Sequence, residues 1–367
     1  MLKYADIFCG CGGLSYGFYN NNNYNGLLAV DHWPIAGRVY KDNHPNTSFE
    51  LKDLYNPEEV ENVIDSLKYN CDVLLGGPPC QSFSTLGKRK DDDKRSSLVD
   101  IYMSICLNVR PKIVIMENVQ GIVSKKHYTG EKYPDFIKKS LDKHFNIKTL
   151  FVNALEYGIP QTRTRWLLVA VNKEVDPNTN TLEKVIIGIE QRKSGKTMVL
   201  RDAIGDLPYI ESGEGEEELV LNSKSSKRII YNHRAMKHSN RLIERLSHVP
   251  VGGGLPNVPH ELLTNHLRKM LNGEYGSGGH VKNIYGRLDW EKPCGTIVAG
   301  MDKITCGRFV HPMANRLLTP RECARIQSFP DDFKFSGSLV NQYYLIGNAV
   351  PPKISTVIAE SISDVLK

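Results

Sequence analysis

Tyr4-Ala5-Asp6-Ile7-Phe8-Cys9-Gly10-Cys11-Gly12-Gly13-Leu14-Ser15-Tyr16-Gly17-Phe18 reads as a short strand, a glycine-rich turn and the start of a helix. Glycines let backbone approach a ligand closely, and a helix N-terminus offers it free N–H groups. The turn therefore suits a nucleotide-type cofactor, although a glycine turn without a ligand looks the same. The spacing is not the G-x-G-x-x-G of dinucleotide sites, because Leu14 and Ser15 follow Gly10, Gly12 and Gly13. The next apolar run, Leu27-Leu28-Ala29-Val30, ends in Asp31. An acid about 20 residues past such glycines suits ribose hydroxyls; a helix cap or a surface acid is the alternative. His32 and Trp33 follow it and can stack on an adenine.

Outward from this unit the pattern repeats. Asp72–Leu75, Lys112–Met116 and Trp166–Val171 predict further strands. Between them, Val60, Val63, Ile64 and Leu67 fall at helical spacing behind Pro57, which suits a first turn. Strands alternating with helices predict an α/β domain with a mostly parallel sheet. After about residue 172 the periodicity weakens. Glu211–Glu218 is acidic and predicts a solvated loop; glycines cluster at 252–254 and 276–279; and Lys224, Lys227, Arg228, Arg234, Arg241, Arg245, Arg268 and Lys269 recur. A second, smaller, irregular domain is expected there. Helical patterns return over Arg321–Gln327 and Pro352–Leu366.

The 367 residues are 40% apolar and 24% charged, ordinary values for a folded chain with a proper core. A net charge of +6 mildly favours a polyanionic partner. No apolar run approaches the roughly 20 residues of a spanning helix. Met1-Leu2-Lys3-Tyr4 lacks the plan of a signal peptide, so no membrane association and a cytoplasmic location are expected. The eight cysteines form no Cys-x-x-Cys pair, and the histidines lack metal spacing, so neither a disulfide framework nor a metal is expected.

Three segments carry chemistry. Gly76-Gly77-Pro78-Pro79-Cys80-Gln81-Ser82-Phe83-Ser84 follows a strand directly, and its prolines cannot continue a helix. That puts Cys80 at the mouth of the sheet, where a structural cysteine would be out of place and a nucleophile would not. The charged stretch Thr85–Ser97 beyond it suits a loop that closes over a substrate. Met116-Glu117-Asn118-Val119 ends another strand with a carboxylate able to hold a proton, or merely to cap or pair. In Gln161-Thr162-Arg163-Thr164-Arg165 the alternation predicts three polar side chains on one strand face, for phosphate or base recognition or as a surface ion-pair ladder.

In order, these segments resemble the motif set of the DNA (cytosine-5)-methyltransferases. So do Arg321-Glu322-Cys323-Ala324-Arg325-Ile326-Gln327-Ser328-Phe329-Pro330 and Gly347-Asn348-Ala349-Val350-Pro351-Pro352 near the C-terminus. The resemblance spans the chain except for about 172–285 and departs from the family pattern at Cys9 and His32. It implies a Rossmann-like S-adenosylmethionine methyltransferase fold: a discontinuous catalytic domain of 1–185 and 338–367, and a target-recognition domain of 186–337. It implies S-adenosylmethionine contacts at Phe8, Gly10, Gly12, Gly13, Asp31, His32, Asp53, Leu54, Pro78, Leu98, Asn348, Ala349 and Val350. Catalysis is implied for Cys80, Glu117, Arg163 and Arg165, and DNA contact for Gln81, Ser84, Gln161 and Thr296. The thiolate of Cys80 would add to carbon 6 of a flipped-out cytosine, Glu117 would bond ring N3, and Arg165 the O2 edge. Duplex DNA is the expected partner of a monomeric enzyme, a cognate restriction endonuclease accompanies many such proteins, and about 186–300 should read the sequence. An RNA-modifying relative, a silent binding module and an NAD oxidoreductase are the competing readings. The long middle region, the intact Cys80-Glu117-Arg165 set and the glycine spacing respectively disfavour them.

Overall fold

The computed structural model describes residues 1–79, 98–222, 227–274 and 281–366. Contacts divide the chain into two units, one of Met1–Asn153, Thr164–Ser194 and Val350–Lys367, the other of Ala154–Arg163 and Gly195–Ala349.

The first unit holds a seven-stranded sheet. In chain order its elements are β1 Leu2–Ile7, α1 Tyr16–Tyr19, β2 Tyr24–Asp31, α2 Pro34–Asn43, β3 Ser48–Leu51, α3 Pro57–Leu67, β4 Val73–Gly76, α4 Leu98–Val109, β5 Ile113–Val119, α5 Tyr133–Leu141, β6 Phe145–Asn153, β7 Thr164–Asn172 and α6 Asn180–Gln191. The strand order is β3-β2-β1-β4-β5-β7-β6. β3, β2, β1, β4 and β5 run parallel, and β7 lies antiparallel between β5 and β6. Central strands covered on both faces must be apolar throughout. Val73, Leu74 and Leu75 of β4 and Ile113 to Met116 of β5 are accordingly all buried. α3 runs from Pro57 to Leu67 as predicted, with Asn56 capping it through the Glu58 N–H.

The last helix of the chain returns to this unit. Ser355 accepts a 2.8 Å hydrogen bond from the Gly17 N–H, and Tyr24 donates to the Ala359 carbonyl at 2.6 Å.

The second unit contains α7 Leu200–Ile204, a two-stranded hairpin of β8 Gly215–Asn222 and β9 Lys227–Arg234, α8 Asn240–Ser247, α9 Asn265–Leu271, α10 Pro320–Ile326 and α11 Leu339–Asn348; the returning helix is α12, Pro352–Ser363. A small core of Leu246, Val249, Leu255, Ile284 and Val310 sits within it. Regular ladders are few, so buried carbonyls need other donors. Arginine supplies five N–H groups, and several arginines do this here, Arg287, Arg321 and Arg163 among them. Arg287 donates to the carbonyls of Val249, His311, Ala314 and Leu246 at 2.7–2.9 Å. Arg321 reaches those of Tyr231, Pro330 and Phe333. Arg163 reaches those of Ile297, Gly347 and Ala349. Arg316 also donates to the Ile210 and Leu317 carbonyls and forms a buried bidentate pair with Glu322, each bond of the pair 2.8 Å. That pair holds the Glu322 carboxyl down at about 2 against the opposing effect of burial.

The boundaries differ from the sequence expectation at three places. Residues 186–194 stay with the first unit because α6 is one continuous helix packed on α12. Residues 338–349 group with the second, where α11 packs on α10. So do 154–163, tied there by a parallel bridge from Gln161 to Cys294. The expected loop at Glu211–Glu218 is also partly strand, since β8 starts at Gly215 and Glu216 and Glu218 pair with His233 and Tyr231.

Candidate active site

In the first unit, the chemistry-bearing residues gather at the carboxyl ends of the parallel strands. The strand order reverses direction between β1 and β4, the place where open α/β sheets leave a crevice for ligands. The β1 exit and the β4 exit touch there, with the Gly77 N–H reaching the Ile7 carbonyl.

The turn after β1 is built from left-handed backbone: Phe8, Gly10 and Gly12 have φ of 63°, 55° and 91°. At Gly12 a side chain is excluded outright, because a Cβ would lie 2.3 Å from the His44 ring. At Gly10 nothing stands within 4 Å of the Cβ position, so the turn presents bare backbone to open space. The Gly10 N–H donates to the Asp31 carboxylate at 2.9 Å, and the Trp33 N–H donates to its other oxygen at 2.9 Å. Asp31 is thereby fixed beside the turn with lone pairs to spare for hydroxyl donors. His32 is exposed, its Nδ1 3.5 Å from Asp31. Past β3, Asp53 is exposed and accepts from the Tyr55 N–H, while Leu54 is buried. Cys9 and Cys11 are buried free thiols whose pKa burial drives upward, to about 12 for Cys11.

Beneath the turn lies a group that sequence reasoning passed over. Asp6 is fully buried, and neither carboxylate oxygen has a hydrogen-bond partner within normal distance. Burial raises its pKa to about 7, with nearby Asp31 adding to the rise. An aspartate inside a glycine motif carries no pattern that announces this.

At the β4 exit Pro78 is buried and its carbonyl accepts from the Asn118 side chain at 2.9 Å. Asn118 also accepts from the Val119 N–H. It thus locks the end of β5 to the segment leading toward Cys80, a role visible only in three dimensions. Glu117 forms a 2.9 Å ion pair with Arg165 Nε, the two side chains 15% and 18% exposed. The antiparallel register explains the meeting: Val119 pairs with Arg165 and Glu117 with Leu167. Glu117 also borders the β4 exit, its Oε2 3.7 Å from where a Gly77 Cβ would stand. Leu98 is buried at the start of α4. Cys80, Gln81, Ser84 and the segment Thr85–Ser97 lie outside the described residues.

In the second unit two expectations change. Gln161 and Arg163 do not share a strand face with Arg165, because β7 begins only at Thr164. Gln161 is fully buried; its amide donates to Gln327 at 2.9 Å and its oxygen accepts from the Ile297 N–H at 2.8 Å. Both ends of its side chain are thus committed inside the protein. Arg163 is likewise buried with both terminal nitrogens on carbonyls, so it shapes the Gly347–Ala349 segment. Asn348 in that segment is exposed, Ala349 is buried, and Val350 is buried at the start of the first unit's last segment. Thr296 is partly exposed and donates to the Thr162 carbonyl at 2.7 Å. His233 and His238 are spent on Thr319, Pro208 and Leu317. Among the described residues no group of three or more His, Cys, Asp or Glu is gathered to hold a metal, and no helix is long and apolar enough to cross a membrane.

Residues 2–364 match the family model described as C-5 cytosine-specific DNA methylase. The type II methyltransferase M.DdeI of Desulfomicrobium norvegicum is 33% identical over 383 residues, 99% of this chain and 88% of that protein. M.AgeI of Thalassovita gelatinovora, another type II methyltransferase, is 30% identical over 428 residues, 98% and 99% of the two chains. Among solved structures, an E. coli prophage protein described as a DNA modification methyltransferase superposes with a TM-score of 0.70 at 22% identity, covering 100% of this chain and 99% of that one, a likeness of fold.

Proposed function

Given that the chain belongs to the C-5 cytosine-specific DNA methylase family and is a DNA (cytosine-5-)-methyltransferase, we propose that it methylates a flipped-out cytosine through a covalent Cys80 adduct. S-adenosylmethionine, when bound, supplies the electrophilic methyl group. The first unit offers that cofactor a fitting cradle: bare backbone at Gly10, the fixed carboxylate of Asp31, and Leu54, Pro78 and Leu98 as apolar walls. Phe8, Gly12, Gly13, His32, Asp53, Asn348, Ala349 and Val350 complete the assignment.

Cytosine carbon 5 is a poor nucleophile until a thiolate adds to carbon 6 and makes it enamine-like. Cys80 performs that addition. Glu117 bonds ring N3 and stabilises the proton there, and Arg165 holds the O2 edge while its pairing with Glu117 fixes both groups. After methylation the carbon 5 proton leaves, the thiol is eliminated and the ring is restored. The base must leave the duplex for this, so base flipping is part of the reading. Ser84, Gln81 and Thr296 contact DNA, and the second unit reads the sequence. The enzyme acts as a cytoplasmic monomer, with a cognate restriction endonuclease as the other half of the system.

The observation that carries this reading is the Glu117–Arg165 pair against the Gly77-Pro78 exit, two residues before Cys80. Bisulfite sequencing of DNA from a host expressing the protein tests it. Protected cytosines should fall in one short sequence. Glu117→Gln should lower the methyl-transfer rate by roughly 10²–10⁴-fold, as a lost acid–base group does, with cofactor affinity kept. An unmodified genome would contradict the proposal, and equal loss of cofactor binding would make Glu117 structural.

A further inference from the structure

We infer that the hairpin of residues 124–132, outside the recognition region, is a second DNA contact that grips a backbone phosphate; this rests on the proposed function. The hairpin follows β5 after one 3-10 helix, Gln120–Ser124, so the chain reaches it from the strand end that carries Glu117. It is closed by an antiparallel bridge between Lys126 and Lys132, both exposed. Like charges directly opposite across such a bridge repel. Neither ammonium has a partner among the described residues to offset this. Glu131, the hairpin's carboxylate, is engaged by Thr129 at 3.1 Å and lies 4.0 Å from Lys139.

The base of the hairpin is rigid. His127 is buried, with Nε2 2.9 Å from Asp100 of α4 and Nδ1 2.9 Å from Thr129. Its ring stacks on Phe136, the centroids 3.8 Å apart. The Gly130 N–H returns to the His127 carbonyl and turns the tip. Tyr128 is held there 80% exposed, with its hydroxyl free to donate. A preorganised hairpin with two ammonium groups opposite each other at its closing bridge and a phenol at its tip is chemistry for an anion. The polyanion expected here is the DNA backbone, which needs charge and hydrogen-bond donors but no base readout. Asp100 sits two residues into α4, so the anchor ties the hairpin to that helix.

The test measures DNA affinity against salt for the full-length protein and for the double variant Lys126→Ala, Lys132→Ala. Each phosphate contact contributes about −0.9 to the slope of log affinity against log salt, so losing this one should flatten the slope by about 0.9 in the double variant. Affinity should fall by the same factor for target-bearing and unrelated duplexes, and the rate at saturating DNA should stay. Lys126→Arg with Lys132→Arg should keep the wild-type slope, which separates charge from folding. In the unaltered protein, bound duplex should protect both lysines from acetylation. An unchanged slope with both lysines still labelled in the complex overturns the hairpin's role while leaving the methyltransferase reading intact. A wild-type protein that neither binds nor methylates DNA takes both down.

Discussion

Leu74 in β4 and Arg287 in the second unit are both at the centre of their cores, and they hold them in opposite ways. Leu74 sits in a parallel ladder whose backbone groups pair with neighbouring strands, so the side chain contributes shape and apolar area. Arg287 lies where the chain has no ladder, and its guanidinium does the pairing for four carbonyls at once. Removing a leucine leaves a hole. Removing the arginine leaves orphaned carbonyls, each costing its desolvation. A sheet supports a fixed site well, while backbone freed from ladders can vary in loop path at constant fold, as the sequence-reading role proposed for the second unit would require.

The largest effect should come from the second unit. Arg287→Ala is expected to cost roughly 3–5 kcal/mol in urea unfolding. Arg287→Lys should recover less than half, because an ammonium cannot span the same carbonyls. Leu74→Ala should cost roughly 2–5 kcal/mol, but Leu74→Met less than about 1.5. Amide exchange sharpens the contrast. Arg287→Ala should expose the Leu255 amide, which donates to Ile284, and spare the amides of β4. Equal loss of protection in both units would break the distinction.

A smaller effect is tied to pH. The Asp6 carboxyl, raised to about 7 by burial, stays neutral in the folded chain at pH values where the unfolded chain has already ionised it. It costs nothing below about pH 4, becomes increasingly destabilising as pH climbs toward 7, and levels off above. Between pH 5 and 8 wild-type stability should therefore fall by roughly 3 kcal/mol through this group alone. Asp6→Asn should remove that fall; parallel stability curves for the two proteins would show that Asp6 titrates normally.

How far the sequence could be read follows from the same contrast. β1, β2, β4, β5 and β7 were legible because burial on both faces writes continuous apolar runs. β3, Ser48–Leu51, and β6, Phe145–Asn153, are the edge strands of the sheet, with exposed positions such as Leu51 and Phe151, and gave no such run. The glycine turn and Asp31 were legible because their spacing is local. Gln161 and Arg163 were misread because alternate spacing imitates a strand where the backbone is not yet one. The carbonyl-binding arginines have no periodicity and look like surface charge, so the second unit's construction was hidden even though its irregularity was not. The Glu117–Arg165 pair needed the antiparallel register, which no single motif contains.

The most direct measurement of the central claim is covalent trapping. A duplex carrying 5-fluorocytosine at the target cytosine blocks the final step, since fluorine cannot leave as the proton does. With S-adenosylmethionine present, the wild-type protein should form a denaturant-stable complex whose digestion yields the DNA attached to the peptide containing Cys80, and Cys80→Ala should form none. An adduct that persists in Cys80→Ala, or attachment at another residue, would contradict the account.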